Sequence, residues 1–205
     1  YNAVQQLNSR IEGTLRIATS ASRSTPIVQQ YLPAFSMKYP SVHFEIYEGL
    51  MTNVVTQLIN GSAELGIANI QMVDIDKFDI LLTQEEHLYA IFRRDVFWTD
   101  REHDTITWED IKKCPLSLSG GSVRMIMQSS LTDMEQINAV AITTTKSSAI
   151  EWASSGRTVS LVPMDAKELV NHRKMARIKL PEFSGDFKKA FITLKGHALS
   201  PVAQQ

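Results

Sequence analysis

Strand and helix signals alternate through the first seventy residues of the chain. Three β-strands are predicted by Leu15 and Ile17, by apolar residues at alternate positions of 42–46, and by "ELGIA" at 64–68. Between them, apolar residues recur at helical spacing in 28–39 and 55–59. Because parallel strands need crossover connections, this βαβαβ order predicts an α/β fold with a largely parallel sheet and right-handed crossovers.

Proline, threonine and glycine predict where the first two helices begin and end. Thr25 is suited to cap the first helix, with Pro26 at its first position. Pro33 lies inside the same helical pattern and has no backbone amide, so we expect a kink or a late start of regular helix there. Gly61 follows the second helical pattern and predicts its C-terminal end.

The rest of the chain continues the alternation less regularly. "FDILLT" and "HLYAIFRR" predict successive strands, and "TITWEDI" predicts a short helix capped by Thr107. "CPLSLSGGSVRMIMQSS" and "NAVAITTTKSSAIEWASSG" each predict a strand, a polar loop and a helix. After the strand "TVSLVP", the last forty residues predict a helix and two strands, near 175–180 and 190–194.

Composition excludes several classes of function. The chain has 21 Lys and Arg against 22 Asp and Glu, so no basic excess is present to bind a nucleic-acid backbone, and any DNA contact would lie elsewhere. Cys114 is the only cysteine, which excludes an internal disulfide and a multi-cysteine metal site, and we expect a buried structural thiol. No apolar run approaches the roughly eighteen residues of a membrane helix, and no signal segment opens the chain.

Three of the predicted strand-to-helix junctions are rich in Ser, Thr and Gly. They are "TSASRST" after the first strand, "SGGS" at 119–122 and "TTTKSS" at 143–148. Any one of them is explained by the preference for Ser and Thr as helix caps. In open α/β sheets, however, ligands bind beyond the carboxyl ends of the strands, where helix N-termini direct free amides at an anion. The recurrence of such junctions therefore favours a binding pocket.

The sequence contains no motif of a known catalytic centre. The five histidines show no metal-ligand spacing: His43, His87, His103, His172 and His197. No serine lies in a G-x-S-x-G nucleophile elbow, and "SGGS" is not followed by the Gly-Lys-Ser/Thr of a phosphate loop. We therefore expect neither an enzyme nor a cofactor or metal site.

The ordered combination of "EGTLRIA", "YLPAFSMKYPSVHFEIYEG", "VVTQLINGSAELGIA" and "WASSGRTVSLVP" resembles the effector-binding domain of LysR-type transcriptional regulators. The resemblance runs from about Gly13 to Gln205, and "LSPVAQQ" is similar to the family's terminal helix. It implies two Rossmann-like α/β subdomains of the type II periplasmic-binding-protein fold, joined by two crossover strands. Residues 1–12 would end a linker helix, 13–83 plus 164–205 would form subdomain I, and 84–163 would form subdomain II.

The sequence departs from the family pattern in two ways. The family often has an aspartate where Glu64 stands, a change that keeps the carboxylate. Arg157 and Thr158 replace the small or apolar residues that usually follow the glycine of "SSGRTVSLVP". The second departure leaves the local loop geometry open.

The resemblance implies a ligand-sensing regulatory domain that binds a small effector, which we expect to be anionic, in the cleft between the subdomains and so modulates DNA binding and transcription. The family's effector-contacting junctions correspond to Thr19, Ser20, Ser22, Ser119, Gly120, Gly121, Ser122, Thr144 and Thr145. Arg124 could add a bidentate clamp on a carboxylate, and Arg23 is a weaker candidate. The alternative for both arginines is a solvent-exposed position.

The family also implies partners. Its members form homodimers or higher oligomers, which here would use the helix 26–39, the strand 42–48 and the helix 150–155; alternatively, Tyr31, Phe35 and Trp152 are core residues. A winged helix-turn-helix preceding Tyr1 would contact DNA in a cytoplasmic, membrane-free protein. The competing interpretation is a free solute-binding protein of a transport system, which would need a secretion signal or lipid anchor upstream of Tyr1 instead.

Overall fold

Ten β-strands lie in two five-stranded sheets in the computed structural model, which describes residues 11–21, 27–102, 105–129, 131–165, 174–183 and 187–205. The contacts divide the chain into two units, each built around one sheet. The first unit comprises Tyr1–Gln84 and Lys188–Gln205, and the second comprises Glu85–Phe187. In the described part of the chain, no helix is long and apolar enough to cross a membrane.

The sheet of the first unit has the order β2-β1-β3-β10-β4. Its strands are β1 (Gly13–Ser20), β2 (Val42–Gly49), β3 (Leu65–Asn69), β4 (Phe78–Glu85) and β10 (Lys188–Leu194). β1 pairs in parallel with both β2 and β3, as the βαβαβ pattern predicted, whereas β10 pairs antiparallel with β3. The sheet is therefore mixed, with its three parallel strands at the end where the two predicted crossovers lie.

The first helix of this unit is irregular just before Pro33, as that proline predicted. A single π-helical turn, Ile27–Tyr31, precedes the regular helix α1 (Leu32–Lys38), in which Pro33 is the second residue. Proline is tolerated at a helix start because its missing amide would be unpaired there. The predicted cap, Thr25 with Pro26, lies outside the described residues.

The second helix, α2 (Met51–Ile59), ends before Gly61, whose φ of 73° needs a residue without a side chain. Val54 and Leu58 are buried in the core that α2 covers, together with Ala18 and Ile192 of the sheet. Ile59, the last apolar residue of the helical pattern, is 52% exposed.

The chain end is anchored to the first unit through Glu64. Both oxygens of this carboxylate accept hydrogen bonds from Ser200, one from the backbone amide and one from the hydroxyl, each at 3.0 Å. The segment that resembles the family's terminal helix forms only a turn at 201–204 here. Glu64 thus takes a structural role at the position where the family often has aspartate.

The sheet of the second unit has the order β7-β6-β8-β5-β9. Its strands are β5 (His87–Arg93), β6 (Leu116–Ser119), β7 (Ala139–Thr143), β8 (Val159–Met164) and β9 (Met175–Lys179), and its helices are α3 (Trp108–Ile111), α4 (Gly120–Gln128) and α5 (Lys146–Ser154). β6 pairs in parallel with β7 and β8, and β5 pairs antiparallel with β8 and β9. Apolar side chains are buried on both faces of this sheet.

The second unit extends further along the chain than the resemblance implied. β9 pairs with β5 over five residues, from Met175 opposite Arg93 to Lys179 opposite Tyr89. The described residues up to Phe187 therefore lie with the second unit, whereas the resemblance implied that 164–205 belong to subdomain I. The difference arises because backbone pairing with β5, and not position along the chain, decides to which sheet β9 belongs.

The turn that carries Arg157 and Thr158 is held in the second unit by hydrogen bonds between buried hydroxyl groups. Gly156 makes the turn with a φ of 78°, and Thr158 is completely buried. The Thr158 hydroxyl donates to Ser117 Oγ at 2.9 Å, and Ser117 Oγ donates to the Ala149 carbonyl at 2.9 Å. This unusual threonine thus connects the start of β8 to β6 and α5.

Two adjacent glycines at the start of α4 have different surroundings. A Cβ on Gly121 would lie 2.7 Å from Cγ of Pro163, a rigid ring on β8, whereas a Cβ on Gly120 would meet no atom within 4 Å. We predict that Gly121→Ala lowers the free energy of unfolding by about 1–3 kcal/mol through overpacking. The matched variant Gly120→Ala should change it by less than about 1 kcal/mol. Urea unfolding checks both values, and equal losses would contradict this packing.

Candidate functional site

The first predicted loop begins at the carboxyl end of β1, where two hydroxyl residues differ in their bonding. Thr19 is completely buried, and its hydroxyl donates to the Ser20 carbonyl at 3.3 Å. The Ser20 hydroxyl is also buried, but it has no hydrogen-bond partner in the described part of the chain. A buried hydroxyl without a partner costs about 1–3 kcal/mol, so a ligand that bonds to the Ser20 hydroxyl would recover this free energy. Ser22 and Arg23 lie outside the described residues.

The second loop closes on itself as a capping box at the start of α4. The Ser119 amide donates to Ser122 Oγ at 2.7 Å, and the Ser122 amide donates to Ser119 Oγ at 3.3 Å. Ser122 Oγ also lies 2.5 Å from the Leu161 carbonyl, and both serines are almost completely buried. Their hydroxyls therefore form the cap of α4, and a ligand at this loop would meet backbone amides instead.

At the start of α4, the backbone amides of Gly120 and Gly121 are available to a ligand. As the first two residues of α4, they precede the point where intrahelical bonding of amides begins. Gly120 is exposed, and the space where its side chain would lie is open. The positive end of the helix dipole is therefore accessible at Gly120, which is the geometry that helix N-termini offer to anions.

The third loop lies beside the second because β6 and β7 are parallel neighbours. Ser119 at the end of β6 is directly opposite Thr143 at the end of β7, and the Thr143 hydroxyl lies 3.2 Å from the Leu118 carbonyl and 2.7 Å from the Thr145 carbonyl. Thr145 caps α5 by accepting from the Ser148 amide at 3.2 Å. The structure thus brings together the "SGGS" and "TTTKSS" loops within the second unit.

The remaining predicted residues of these loops are Thr144 and Arg124. Thr144 is exposed between Thr143 and the cap of α5. Arg124 is half-buried in α4, and no ion pair holds it among the residues that the structure describes. Ligand contact by either side chain is a prediction from the sequence.

Three buried charged residues of the second unit were missed by the sequence reasoning. Lys146 is only 4% exposed at the first position of α5, and its ammonium group donates to the Pro163 carbonyl at 3.4 Å. Glu86 and Asp165 are 4% and 1% exposed. In sequence they lie next to His87 and Met164, the last antiparallel pair of β5 and β8. Only Lys146 carried a signal, as the charge inside "TTTKSS", but a lysine in a first helical turn normally lies in solvent.

Two other features lie apart from these loops. A groove of about 600 Å³ in the second unit is lined by 106–107 and 177–182 and includes none of the predicted residues. Cys114 is half-buried, and burial, with a smaller effect of Asp110, raises the pKa of its thiol, as expected for a structural cysteine. In the described ranges, no cluster of three or more His, Cys, Asp or Glu residues could hold a metal ion.

Comparisons with known proteins identify the family. The family model described as "LysR substrate binding domain" matches residues 8–205. No curated protein matches the chain. Similar solved structures include the cofactor-binding domain of the Cbl transcriptional regulator, with 19% identity, a TM-score of 0.69 and coverage of 95% of this chain and 86% of that one.

Two further structures of regulatory domains have the same fold. The effector-binding domain of QuiR in complex with shikimate has 15% identity and a TM-score of 0.67, covering 95% of this chain and 93% of that one. A sulfate-bound mutant of the OxyR2 regulatory domain from Vibrio vulnificus has 16% identity and a TM-score of 0.66, with 91% and 89% covered.

The family match extends over nearly the whole chain, and the two mixed five-stranded sheets agree with it. The resemblance inferred from the ordered sequence fragments and the predicted fold class are both confirmed. The chain belongs to the LysR substrate-binding domains, the ligand-binding part of a family of non-enzymatic transcriptional regulators with the type II periplasmic-binding-protein fold.

Proposed function

We propose that this domain senses a small anionic effector, which it holds with the hydroxyl-rich loops that end its parallel strands, in the cleft that the family resemblance assigns to the ligand. The observation that carries the proposal is the buried, unpartnered hydroxyl of Ser20 at the carboxyl end of β1. A hydroxyl in that position can donate to an anion and regain the hydrogen bond that burial removed.

The anionic character is supported by what the other two loops offer. Gly120 has an exposed backbone at the start of a nine-residue helix, and Lys146 has a buried ammonium group at the start of another. Amides at helix N-termini and a lysine ammonium group can bind an anion. No additional buried cation is then needed to balance its charge. Shikimate in QuiR and sulfate in OxyR2 are anions bound by proteins of the same fold.

Regulation would follow from a difference in the affinity of the effector for two states of the protein. We propose that the effector binds one arrangement of the two subdomains more tightly than another and thereby shifts the population of the full-length oligomer. The near-neutral charge of this chain supports a DNA contact made by another part of the protein, for which the family implies a helix-turn-helix domain preceding Tyr1. The effector would then act on transcription through the assembly and not through DNA contacts of its own domain.

We further propose that the domain forms the homodimer that the family resemblance implies. Met37 of α1 is 81% exposed, and Val28 and Tyr31 before it are 40% and 38% exposed. In the second unit, Ile142 of the edge strand β7 and Trp152 of α5 are 60% and 40% exposed. These apolar residues lie on or beside the elements that the resemblance nominates, and their burial against a second copy would favour association.

The effector proposal predicts that removing the Ser20 hydroxyl weakens anion binding without lowering the stability of the domain. A panel of sulfate, phosphate and small carboxylates is screened by thermal shift, and the anion that raises the unfolding temperature most is titrated by calorimetry. Ser20→Ala should weaken its binding by about ten- to a hundredfold, because a hydrogen bond to a charged group is lost. The unfolding temperature of the free variant should equal or exceed that of the wild type, since an unpartnered hydroxyl is removed.

Ser129→Ala is the matched control for this measurement. Its hydroxyl lies at the opposite end of α4 and is already bonded to the Ile126 carbonyl at 2.7 Å. Its affinity for the anion should equal that of the wild type. Equal affinity in the wild type and Ser20→Ala would show that the effector lies elsewhere.

The dimer proposal predicts that a charge at Met37 weakens association and that a charge at Met127 does not. Met37→Glu should raise the dissociation constant of the dimer by at least about tenfold, because an apolar contact is replaced by a charge. Met127 of α4 is 69% exposed but lies outside the nominated elements, so Met127→Glu should leave association unchanged. Sedimentation at micromolar concentration measures both, and a strictly monomeric wild type would contradict the dimer.

A further inference from the structure

Strand β4 forms an unpaired, apolar edge of the first unit. It is the last strand in the order β2-β1-β3-β10-β4, so one of its two sides has no neighbouring strand in the described sheet. Its three central residues, Ile80, Leu81 and Leu82, are 39%, 46% and 59% exposed. In an extended strand every second residue turns its amide and carbonyl to this free side, where they can pair with another strand.

The edge lacks the protection that isolated edge strands normally carry. Lysine, proline or a bulge at the centre of an edge strand prevents pairing with other chains, but the centre of β4 has only aliphatic side chains. The segment leading into β4 adds Met72 and Ile75, which are 47% and 65% exposed. An exposed aliphatic edge of this kind is suited to addition of a further strand.

We propose that β4 pairs antiparallel with β4 of a second copy of this chain, around a two-fold axis at Leu81. A closed two-fold contact uses the same surface of both copies, so each residue and its opposite must be compatible in both directions. In this register Leu81 is opposite the partner's Leu81, and Ile80 is opposite the partner's Leu82. The two sheets join into one, with aliphatic pairs at the centre of the contact.

The charges beside the aliphatic centre select this register. With the axis at Leu81, Lys77 is opposite the partner's Glu85, and Asp79 is opposite the partner's Thr83. Moving the axis to Leu82 would place Asp79 opposite the partner's Glu85, and like charges directly opposite one another are destabilising. Moving it to Ile80 would place Lys77 opposite the partner's Thr83 and lose both ion pairs. Lys77 also contacts Asp74 at 2.9 Å but keeps 62% of its side chain exposed.

This contact is separate from the homodimer proposed above. β2 and β4 are the opposite edges of one sheet, so a copy that uses α1 and β2 in the homodimer still has β4 free. The two contacts together would connect dimers into a larger assembly. The β4 pairing therefore goes beyond the proposed function and can fail without affecting it.

Disulfide trapping tests the position of the two-fold axis. In a Cys114→Ser background, Leu81→Cys should form a covalent dimer on mild oxidation, because directly opposed residues have Cα atoms about 5 Å apart. Thr83→Cys should not, because each copy's residue 83 would lie about 14 Å along the strand from its counterpart. Trapping of both variants, of neither, or of Thr83→Cys alone would overturn the pairing.

A charge exchange tests the register without altering the aliphatic centre. Lys77→Glu and Glu85→Lys each place like charges opposite one another twice in the assembly, and each should weaken β4 pairing by about 2- to 30-fold in sedimentation. The double variant restores opposite charges and should return the affinity to that of the wild type. A double variant weaker than both single variants would overturn the register. Met37→Glu serves as the background, so that the homodimer contact does not mask the result.

Discussion

Parallel pairing of neighbouring strands is the constraint on which the candidate site depends. β1 is parallel to β2 and β3 in the first unit, and β6 is parallel to β7 and β8 in the second. Parallel strands end at the same edge of a sheet, and the helices that connect them begin there with unpaired amides. The pairing of Ser119 with Thr143 consequently sets two polar loops side by side, although the chain separates them by more than twenty residues.

The Ser and Thr hydroxyls of these loops differ in their hydrogen bonding. Ser119 and Ser122 bond to each other and are buried, so capping accounts for them completely. Thr145 likewise caps α5. Ser20 is different, because its hydroxyl is buried without a partner in the described chain. Capping thus explains the hydroxyls at some positions, whereas the hydroxyl of Ser20 is the one that we propose for ligand binding.

Local signals in the sequence predicted most of the elements, since caps, breakers and apolar spacing act over a few residues. Pro33 predicted the irregular turn in the first helix and Gly61 the end of the second, and the polar loops followed the predicted strands. The assignment of β9 to the second unit was missed, because its partner β5 is more than eighty residues away. Burial of Lys146 and exposure of Leu82 were not predicted, because apolar spacing does not tell which side of a strand or helix the rest of the chain covers.

Amide chemical-shift mapping by NMR would test the account most directly, because it locates a bound anion residue by residue. The isotope-labelled domain is titrated with the anion that stabilises it most against heat. Binding at the proposed site should shift mainly the amides of Ser20, Gly120, Gly121 and Thr145, at the ends of the parallel strands. Shifts confined instead to 177–182, in the groove beside β9, would contradict a site at the strand ends.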